Sequence, residues 1–289
     1  MKINELNPLY ININGTITPL KEARVSIFDR GFLFGDSLYE VFRTYSKNTI
    51  FQFDKHFDRF LNTASLMGMK LPFDRATLLR EVFRTTENLG EEAYIRVIVS
   101  RGEGEITLEI KNDLVPNYFI VAMNYQKFPE ENYNLGITLF TPSIQRTSKS
   151  SLNPEIKSGN YLNNILALKE AKDKGFSDAL MLNAEGHVTE LSNSNIFFVK
   201  AGVIKTPSEA TGILKGVTRS HIIDLCKKNE LPLEVGEYTL EEFEAADECF
   251  ISSTLKEVMP VRLLNNTTFK NTPGNITQKL IRLYKASVG

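Results

Sequence analysis

The chain has little cysteine, few histidines and almost no net charge, and each of these shortages argues against particular classes of protein or binding site. Two cysteines in 289 residues exclude a disulfide framework in practice and favour a reducing cytoplasm. The three histidines are scattered without the spacing of metal ligands, which argues against a zinc site or any other metal site. A formal net charge of −1 argues against electrostatic binding to nucleic acid or to an anionic membrane.

Long apolar runs are also missing. No stretch is long enough to span a bilayer, and we expect no signal peptide at the start of the chain. The composition, 42% hydrophobic and 24% charged, is that of a soluble globular protein. A length of 289 residues provides for one or two domains with a sizeable core.

Patterns typical of strands and helices are mixed up to about residue 123. Residues 24–28 alternate like a strand, and Asp74 is placed to cap the start of a helix. The polar, proline-containing segment 126–133 is the best linker candidate. We therefore predict three parts, namely a small α+β domain at 1–124, a linker at 125–135 and a larger domain at 136–289.

Lys157 precedes an apolar run at helical spacing, residues 161–171, one face of which is expected to enter a core. A lysine beside packed apolar surface loses hydration, so its pKa falls, and a neutral amine can attack a carbonyl to form a Schiff base. A single lysine is more often a solvated surface charge. The rest of the chain must therefore supply partners for it.

Three further features are parts of one possible site. The segment Gly212–Arg219 places a glycine just before a helix with Thr218 in its first turn, and the first backbone N–H groups of that helix can bind a phosphate, although many ordinary helices start in this way. Arg59, on an amphipathic helix, is either a phosphate clamp or a snorkelling surface residue. Glu190 could keep a pyridinium nitrogen protonated, or lie in a loop of turn-forming residues. With Lys157, these are the parts that a pyridoxal phosphate site needs.

At these residues the chain resembles the class IV, or fold-type IV, pyridoxal-phosphate aminotransferases. The resemblance covers nearly the whole chain, from Asp29-Arg-Gly31 to Pro260-Val261. Lys157, within Lys-Ser-Gly-Asn-Tyr-Leu, resembles the family's cofactor lysine, and Glu190, within Val-Thr-Glu, resembles the partner of the pyridine nitrogen. The resemblance implies these further cofactor-binding residues: Tyr161 at the ring hydroxyl, Asn195 beside Glu190, Leu214 on the ring face, and Arg59, Gly216, Val217, Thr218, Ser253 and Thr254 around the phosphate.

The resemblance also implies the architecture and the partners. It implies an α+β fold of two domains with pyridoxal 5'-phosphate between them. One domain is small, and the larger, cofactor-binding domain has a β-barrel-like core with flanking helices. The partners implied are small amino acids and 2-oxo acids, together with further copies of the chain in a homodimer or a higher homo-oligomer.

The family contains branched-chain amino acid aminotransferases, D-amino acid aminotransferases and aminodeoxychorismate lyases. Tyr94-Ile-Arg96 and Arg43 resemble branched-chain enzymes, although Phe34 stands where these usually have tyrosine. Tyr39, Val41 and the run Ser252-Ser-Thr254 resemble the D-amino acid enzymes, whose arginine and histidine for the substrate carboxylate are missing. We predict transfer between an L-branched-chain amino acid and 2-oxoglutarate through a Lys157 Schiff base. A D-amino acid transaminase is the alternative, and an aminodeoxychorismate lyase ranks third.

Alternation along two strands predicts how a substrate pocket would be lined. Tyr94 and Arg96 share one face of their strand, as do Tyr39, Val41 and Arg43 on another. The alternative for either arginine is a structural ion pair with Glu40 or Glu92. The predicted substrate-binding residues are Phe34, Tyr39, Val41, Arg43, Tyr94, Arg96, Thr254 and Leu255.

Overall fold

The computed structural model describes residues 10–288, which form two compact units. The first comprises residues up to 126 together with 156–160, and the second comprises 127–155 and the residues from 161 onward. Residues 156–160, which include Lys157, therefore group with the first unit, although the chain on either side belongs to the second. The predicted division into 1–124, 125–135 and 136–289 stays a prediction, and residues 1–9 and 289 lie outside the described residues.

An antiparallel sheet is the framework of the first unit. Its strands are β1 (Tyr10–Ile13), β2 (Thr16–Pro19), β3 (Ser37–Ser46), β4 (Thr49–Ile50), β5 (Ala93–Ser100) and β6 (Asn117–Asn124). They follow the order β2-β1-β6-β5-β3-β4. In the register of the central pair, Val41 lies opposite Arg96, and Arg43 opposite Tyr94. Directly paired residues project from the same face of a sheet, so these four side chains share one face.

The other face of this sheet carries the core of the first unit. The unit's helices are α1 (Arg30–Phe34), α2 (Phe53–Leu66) and α3 (Arg75–Thr86). Asp74 accepts a hydrogen bond from the backbone N–H of Thr77 at 2.8 Å, which confirms the predicted start of α3. Core residues of β3 and β5 pack with residues of both longer helices, including Leu38, Phe42, Ile95, Phe57, Phe60, Leu78 and Val82.

The predicted strand at residues 24–28 is wrong. These residues are irregular, and Val25, Ile27 and Phe28 are half exposed or more. The next residue, Asp29, instead caps α1 by accepting a hydrogen bond from the backbone N–H of Gly31 at 2.8 Å. In segment 24–28, therefore, the alternation of apolar residues does not reflect burial.

A mixed sheet is the framework of the second unit. Its strands are β7 (Ile137–Phe140), β8 (Asp178–Leu182), β9 (Val188–Leu191), β10 (Asn195–Lys200), β11 (Val203–Pro207), β12 (Leu233–Gly236), β13 (Glu248–Ser253), β14 (Glu257–Leu264) and β15 (Thr267–Thr268). They follow the order β12-β11-β10-β13-β14-β7-β8-β9, with β15 paired to β14. Buried side chains from most of these strands form one apolar cluster, which Phe243 completes from a neighbouring helix.

Within the described part of the second unit there are five α-helices: α4 (Glu130–Asn134), α5 (Leu162–Asp173), α6 (Val217–Lys228), α7 (Leu240–Glu244) and α8 (Asn275–Val288). Helix α5 was predicted from its apolar spacing, but the expected buried face is wrong. Leu162 and Ile165 are 66% and 58% exposed, whereas Ala167 and Ala171 are fully buried against Ala179 and Met181. Small side chains allow the helix to approach the sheet closely, and this leaves the larger apolar side chains outside.

The predicted α+β fold class is confirmed, since helices cover an antiparallel sheet in one unit and a mixed sheet in the other. None of the helices between residues 10 and 288 combines the length and the hydrophobicity that crossing a membrane requires.

Candidate active site

Lys157 is held beside strand β3 by backbone hydrogen bonds. The backbone N–H of Tyr39 donates to the carbonyl of Lys157 at 3.0 Å, and that of Gly159 donates to the carbonyl of Ser37 at 2.8 Å. A Cβ atom at position 159 would clash with Oγ of Ser37, so glycine permits this close approach. The lysine is half-buried, and its position is fixed by the first unit rather than by α5.

The ring of Tyr39 contacts two cations. Nζ of Lys157 lies 4.2 Å from the centre of this ring, and the guanidinium carbon of Arg96 lies 3.9 Å from it. Both distances are within the range of cation–π interactions. The first unit therefore brings together three of the predicted residues, with Val41 directly opposite Arg96 in the sheet.

Arg43 lies on the same face, but it is engaged elsewhere. Its Nη2 donates to Oε2 of Glu92 at 2.6 Å, and its guanidinium carbon lies 4.3 Å and 3.8 Å from the ring centres of Tyr45 and Tyr125. This geometry favours the structural ion pair that was the alternative for Arg43. Of the remaining predicted residues of this unit, Phe34 lies at the C-terminus of α1 and Tyr94 lies opposite Arg43.

Arg59 forms a buried ion pair with Glu40. Its Nε and Nη2 donate to the two carboxylate oxygens at 2.9 Å and 2.6 Å, and Nδ1 of His56 lies 3.2 Å from the same carboxylate. Burial by itself would raise the pKa of Glu40, but Arg59 and His56 together hold it well below its usual range. Burial lowers the pKa of His56 more than Glu40 raises it. The first unit thus holds Arg59 in a fixed orientation beside an ionised carboxylate.

Glu190 is the centre of a polar cluster in the second unit. It lies on strand β9 rather than in a loop, and it is buried. Oε1 accepts from Nε of Arg146 at 3.2 Å and lies 3.1 Å from Nη2 of the same guanidinium, while Oε2 accepts from Nδ2 of Asn195 at 3.2 Å and from the backbone N–H of Leu214 at 3.1 Å. These three hydrogen bonds and the charge of Arg146 stabilise the ionised form of the carboxylate.

Asn195 connects this carboxylate to the start of α6. Its Nδ2 also donates to the carbonyl of Leu214 at 3.0 Å. A Cβ atom at Gly216 would clash with Oδ1 of Asn195, so only glycine fits there. Gly216 is the N-cap residue of α6 and makes no side-chain capping bond, and Val217 and Thr218 form the first turn of the helix. The unpaired N–H groups of such a turn, together with the helix dipole, favour an anion.

The remaining predicted residues of the second unit lie on a hairpin and at a helix start. Ser253 ends β13, and Thr254 and Leu255 follow it in the turn to β14. Oγ of the neighbouring Ser252, which pairs with Asn195 across the strands, is buried without a hydrogen-bond partner among residues 10–288. Tyr161 is the N-cap residue of α5.

These residues fit pyridoxal 5'-phosphate. The second unit offers an ionised carboxylate for a cationic ring nitrogen and, across Leu214, a helix N-terminus for a phosphate. The unpartnered hydroxyl of Ser252 adds a buried polar atom beside Asn195. In the first unit, Lys157 provides the amine and Arg59 a further cation. Each unit by itself thus carries groups whose chemistry suits the cofactor.

Sequence reasoning missed three charged residues that support the site. Arg146 lies 44 residues from its partner Glu190, so no local pattern pairs them. Glu40 was considered only as a structural partner, although a charge within an apolar strand indicates a buried partner. Arg219 is buried in the first turn of α6, where it opposes the helix dipole, and it pairs with Glu209 at 3.0 Å. A cation in the first turn of a helix is unfavourable, and this was the signal in the sequence that Arg219 has an acidic partner.

Comparison with known proteins agrees with this geometry. Residues 37–264 match the family described as amino-transferase class IV. The chain is 35% identical to a putative branched-chain-amino-acid aminotransferase of Methanocaldococcus jannaschii, covering 95% of each chain. It is 32% identical to a D-alanine aminotransferase of Bacillus licheniformis, covering 92% of this chain and 93% of the relative.

A solved structure has the same fold. The branched-chain amino acid aminotransferase of Thermobaculum terrenum, in its PLP-bound holo form, superposes with a TM-score of 0.87 at 27% identity, covering 96% of this chain and 93% of that chain. The fold is therefore that of the fold-type IV enzymes, as predicted. Both the match over residues 37–264 and the relatives' similarity over nearly the full length show that this chain belongs to the class IV aminotransferases, which are pyridoxal-phosphate-dependent enzymes.

Proposed function

We propose that the chain transfers an amino group between L-branched-chain amino acids and 2-oxoglutarate. The observation that carries the proposal is the group formed by Lys157, Tyr39 and Arg96, with the apolar Val41 opposite Arg96. Arg96 offers a cation for the second carboxylate of glutamate, while Tyr39 and Val41 offer apolar surface for a branched side chain. The names of the relatives, branched-chain aminotransferases among them, support the same choice.

Each proposed role follows from the contacts of the residue. Nζ of Lys157 would hold the cofactor covalently and, once the substrate amine has replaced it, the freed amine would carry the proton from the substrate α-carbon to the cofactor, which requires an amine held at a fixed position. The bound cofactor supplies an electron-withdrawing ring. Glu190, kept ionised by Arg146 and Asn195, holds the proton of the ring nitrogen. The first turn of α6 binds the phosphate.

Further residues complete the proposed cofactor site. Tyr161 would hydrogen-bond the ring hydroxyl and Leu214 would pack on the ring face, as the resemblance implies. Arg59 strengthens binding of the phosphate through its charge, and its orientation is set by Glu40. Ser253 and Thr254 contact the phosphate from the hairpin between β13 and β14.

A D-amino acid transaminase is the second candidate. The D-alanine aminotransferase from Bacillus licheniformis is almost as similar to this chain as the branched-chain relative. Residues Tyr39 and Val41 and the run Ser252–Thr254 also resemble the D-amino acid enzymes. The two candidates differ in the stereochemistry of the substrate, so one assay separates them.

The assay is a transamination screen of the purified holoenzyme. L-leucine, L-isoleucine, L-valine, L-glutamate and D-alanine are each tested with 2-oxoglutarate and with pyruvate. We expect turnover of the three branched-chain substrates with 2-oxoglutarate, and none with the Lys157→Ala variant. Turnover of D-alanine without turnover of L-leucine would refute the proposal in favour of the second candidate.

We also propose that the chain forms a homodimer through an apolar surface of the first unit. This surface is carried by two chain segments, residues 25–32 and 106–115, and Arg30 links them. Its Nη1 donates to the carbonyl of Thr107 at 2.6 Å, and its backbone N–H donates to the carbonyl of Gly102 at 2.9 Å. An exposed apolar surface of this extent is typical of a protein interface. Its large side chains, each half exposed or more, are Val25, Ile27, Phe28, Phe32, Ile106, Leu108, Ile110 and Val115.

Light scattering coupled to size-exclusion chromatography tests the dimer. We expect twice the mass of the chain for the wild type and a monomer for the Phe32→Glu/Leu108→Glu variant. Val235→Glu is the matched control, because Val235 is a singly exposed apolar residue on β12. A dimer that survives in the double variant would refute the assigned surface.

A further inference from the structure

Lys256 lies in the hairpin that carries Thr254 and Leu255, and none of the roles proposed so far involves it. Strands β13 and β14 pair through Ser253 and Glu257, so the connecting loop consists of residues 254–256 alone. Glu257 adopts a φ of 56°, the left-handed conformation that often closes a three-residue hairpin loop. In so short a loop, the position of one residue constrains the others.

The ammonium group of Lys256 is fully hydrogen-bonded. Nζ donates to Oδ2 of Asp178 at 3.0 Å, to Oδ1 of Asn193 at 2.7 Å and to Oγ of Ser194 at 3.1 Å. A lysine has three N–H donors, and these bonds use all of them. The side chain is only 12% exposed and that of Asp178 only 6%, so the ion pair is largely removed from water.

The three acceptors belong to the chain around the Glu190 cluster. Asn193 and Ser194 lie in the turn that connects Glu190 on β9 with Asn195 on β10. Asp178 also accepts a hydrogen bond from Oγ of Ser192 in this turn, at 2.6 Å. One lysine and one aspartate therefore fasten the β9–β10 turn to the β13–β14 hairpin.

We propose that Lys256 is a positioning residue for cofactor binding. It fixes Thr254 at one end of the hairpin, and through Asn193 and Ser194 it fixes the turn on which Glu190 and Asn195 depend. The inference rests on the proposed function, in which Thr254 contacts the cofactor phosphate. A charged side chain suits the role because it satisfies the buried Asp178 and two neutral oxygens at once, which no apolar residue of similar length can do.

The test measures the affinity of the apoprotein for pyridoxal 5'-phosphate, by titration of the full chain. Lys256→Met keeps the length of the side chain and removes its charge. We expect the dissociation constant to rise at least tenfold. Lys205→Met is the matched control, because Nζ of Lys205 forms an ion pair with Glu234 at 2.9 Å at a more exposed place in the same unit. The control should change the dissociation constant less than twofold, and an equal change in both variants would overturn the proposal.

A double-mutant cycle with Thr254→Ala shows whether Lys256 acts through the hairpin. If it does, Thr254→Ala weakens cofactor binding in the wild type and has little further effect in Lys256→Met. Fully additive effects would overturn the positioning role and leave the proposed function intact. An unchanged dissociation constant in Thr254→Ala alone would instead overturn the phosphate contact of the proposed function, and the inference with it.

A third variant separates positioning from stability. Lys256→Met leaves Asp178 buried without its cation, so part of its effect could come from loss of stability. Lys256→Met/Asp178→Asn removes that unpaired charge, and we expect its melting temperature to rise back toward the wild-type value while the weaker cofactor binding persists. Recovery of cofactor affinity together with melting temperature would show that Lys256 only stabilises the unit, and would overturn the proposal.

Discussion

Replacing Glu190 by glutamine tests whether this carboxylate serves the chemistry or only the fold. The amide keeps the size of the side chain but turns one oxygen into an NH2 group. Because Oε1 of Glu190 faces the guanidinium of Arg146 and Oε2 faces two N–H donors, either orientation of the amide places its NH2 group against donors. At least one hydrogen bond, and the negative charge that pairs with Arg146, are therefore lost whichever way the glutamine turns.

The size of the effect follows from which bonds are lost. A hydrogen bond to a charged group contributes about 1.5–3 kcal/mol, and removing one partner of a buried ion pair costs about 3–5 kcal/mol. Arg146 is 14% exposed in its side chain, so solvent replaces the carboxylate only in part. We expect Glu190→Gln to lower the free energy of unfolding of the apoprotein by about 3 kcal/mol, measured by urea denaturation.

A second variant separates this structural cost from catalysis. Glu190→Gln/Arg146→Met removes the unpaired cation, so unfolding stability should recover in large part. The rate should not recover, because a neutral amide cannot hold the proton of the ring nitrogen. We expect kcat to stay well below the wild-type value in both variants at full cofactor occupancy. A kcat that recovers together with stability would refute the catalytic role, and an unchanged stability in Glu190→Gln would refute the described ion pair and hydrogen bonds of Glu190.

Four further predictions concern the first unit. Lys157→Ala should abolish transamination and leave the circular dichroism spectrum unchanged, and turnover near the wild-type rate would contradict the assignment. Arg59→Ala should weaken cofactor binding about ten- to a hundredfold, from a loss of about 1.5–3 kcal/mol, and unaltered retention on dialysis would contradict it. Arg96→Ala should raise KM for glutamate and 2-oxoglutarate more than for leucine, whereas an equal rise would indicate a structural arginine or one that holds the common α-carboxylate. Burial lowers the pKa of His56 in the folded chain, so the unfolded chain takes up this proton first as pH falls. Stability should therefore decline below about pH 6.5, by at most about 1.4 kcal/mol per pH unit from this group, and an identical slope in His56→Gln would refute its contribution.

The candidate residues that lie in short sequence motifs could be proposed from the sequence. Lys157 and the Gly216–Thr218 turn are recognisable because the proposed chemistry depends on residues close together in the chain. The same holds for helix starts, since the capping bond of Asp74 reaches only three residues along the chain. Composition alone also indicated a globular fold without a disulfide framework.

Contacts between distant residues were decided by tertiary structure. Arg146 and Glu190 meet across 44 residues, and Arg43 and Glu92 across 49. The sequence does not distinguish an arginine that faces a substrate from one that pairs with an acidic neighbour. Only the register of β3 and β5, with the position of Glu92, distinguishes the engaged Arg43 from Arg96, which stacks on Tyr39.

Helix α5 shows that the buried face of a helix, too, could not be predicted from the sequence alone. Its apolar spacing predicted a helix, because periodicity reflects local geometry. Which face is buried depends on the partner surface, and here Ala179 and Met181 accept the small side chains of Ala167 and Ala171. The sequence by itself thus determined the family, the candidate lysine and most elements of this protein. Tertiary structure alone decided which charges pair and which apolar side chains are buried, because those free energies depend on neighbours that are far apart in the chain.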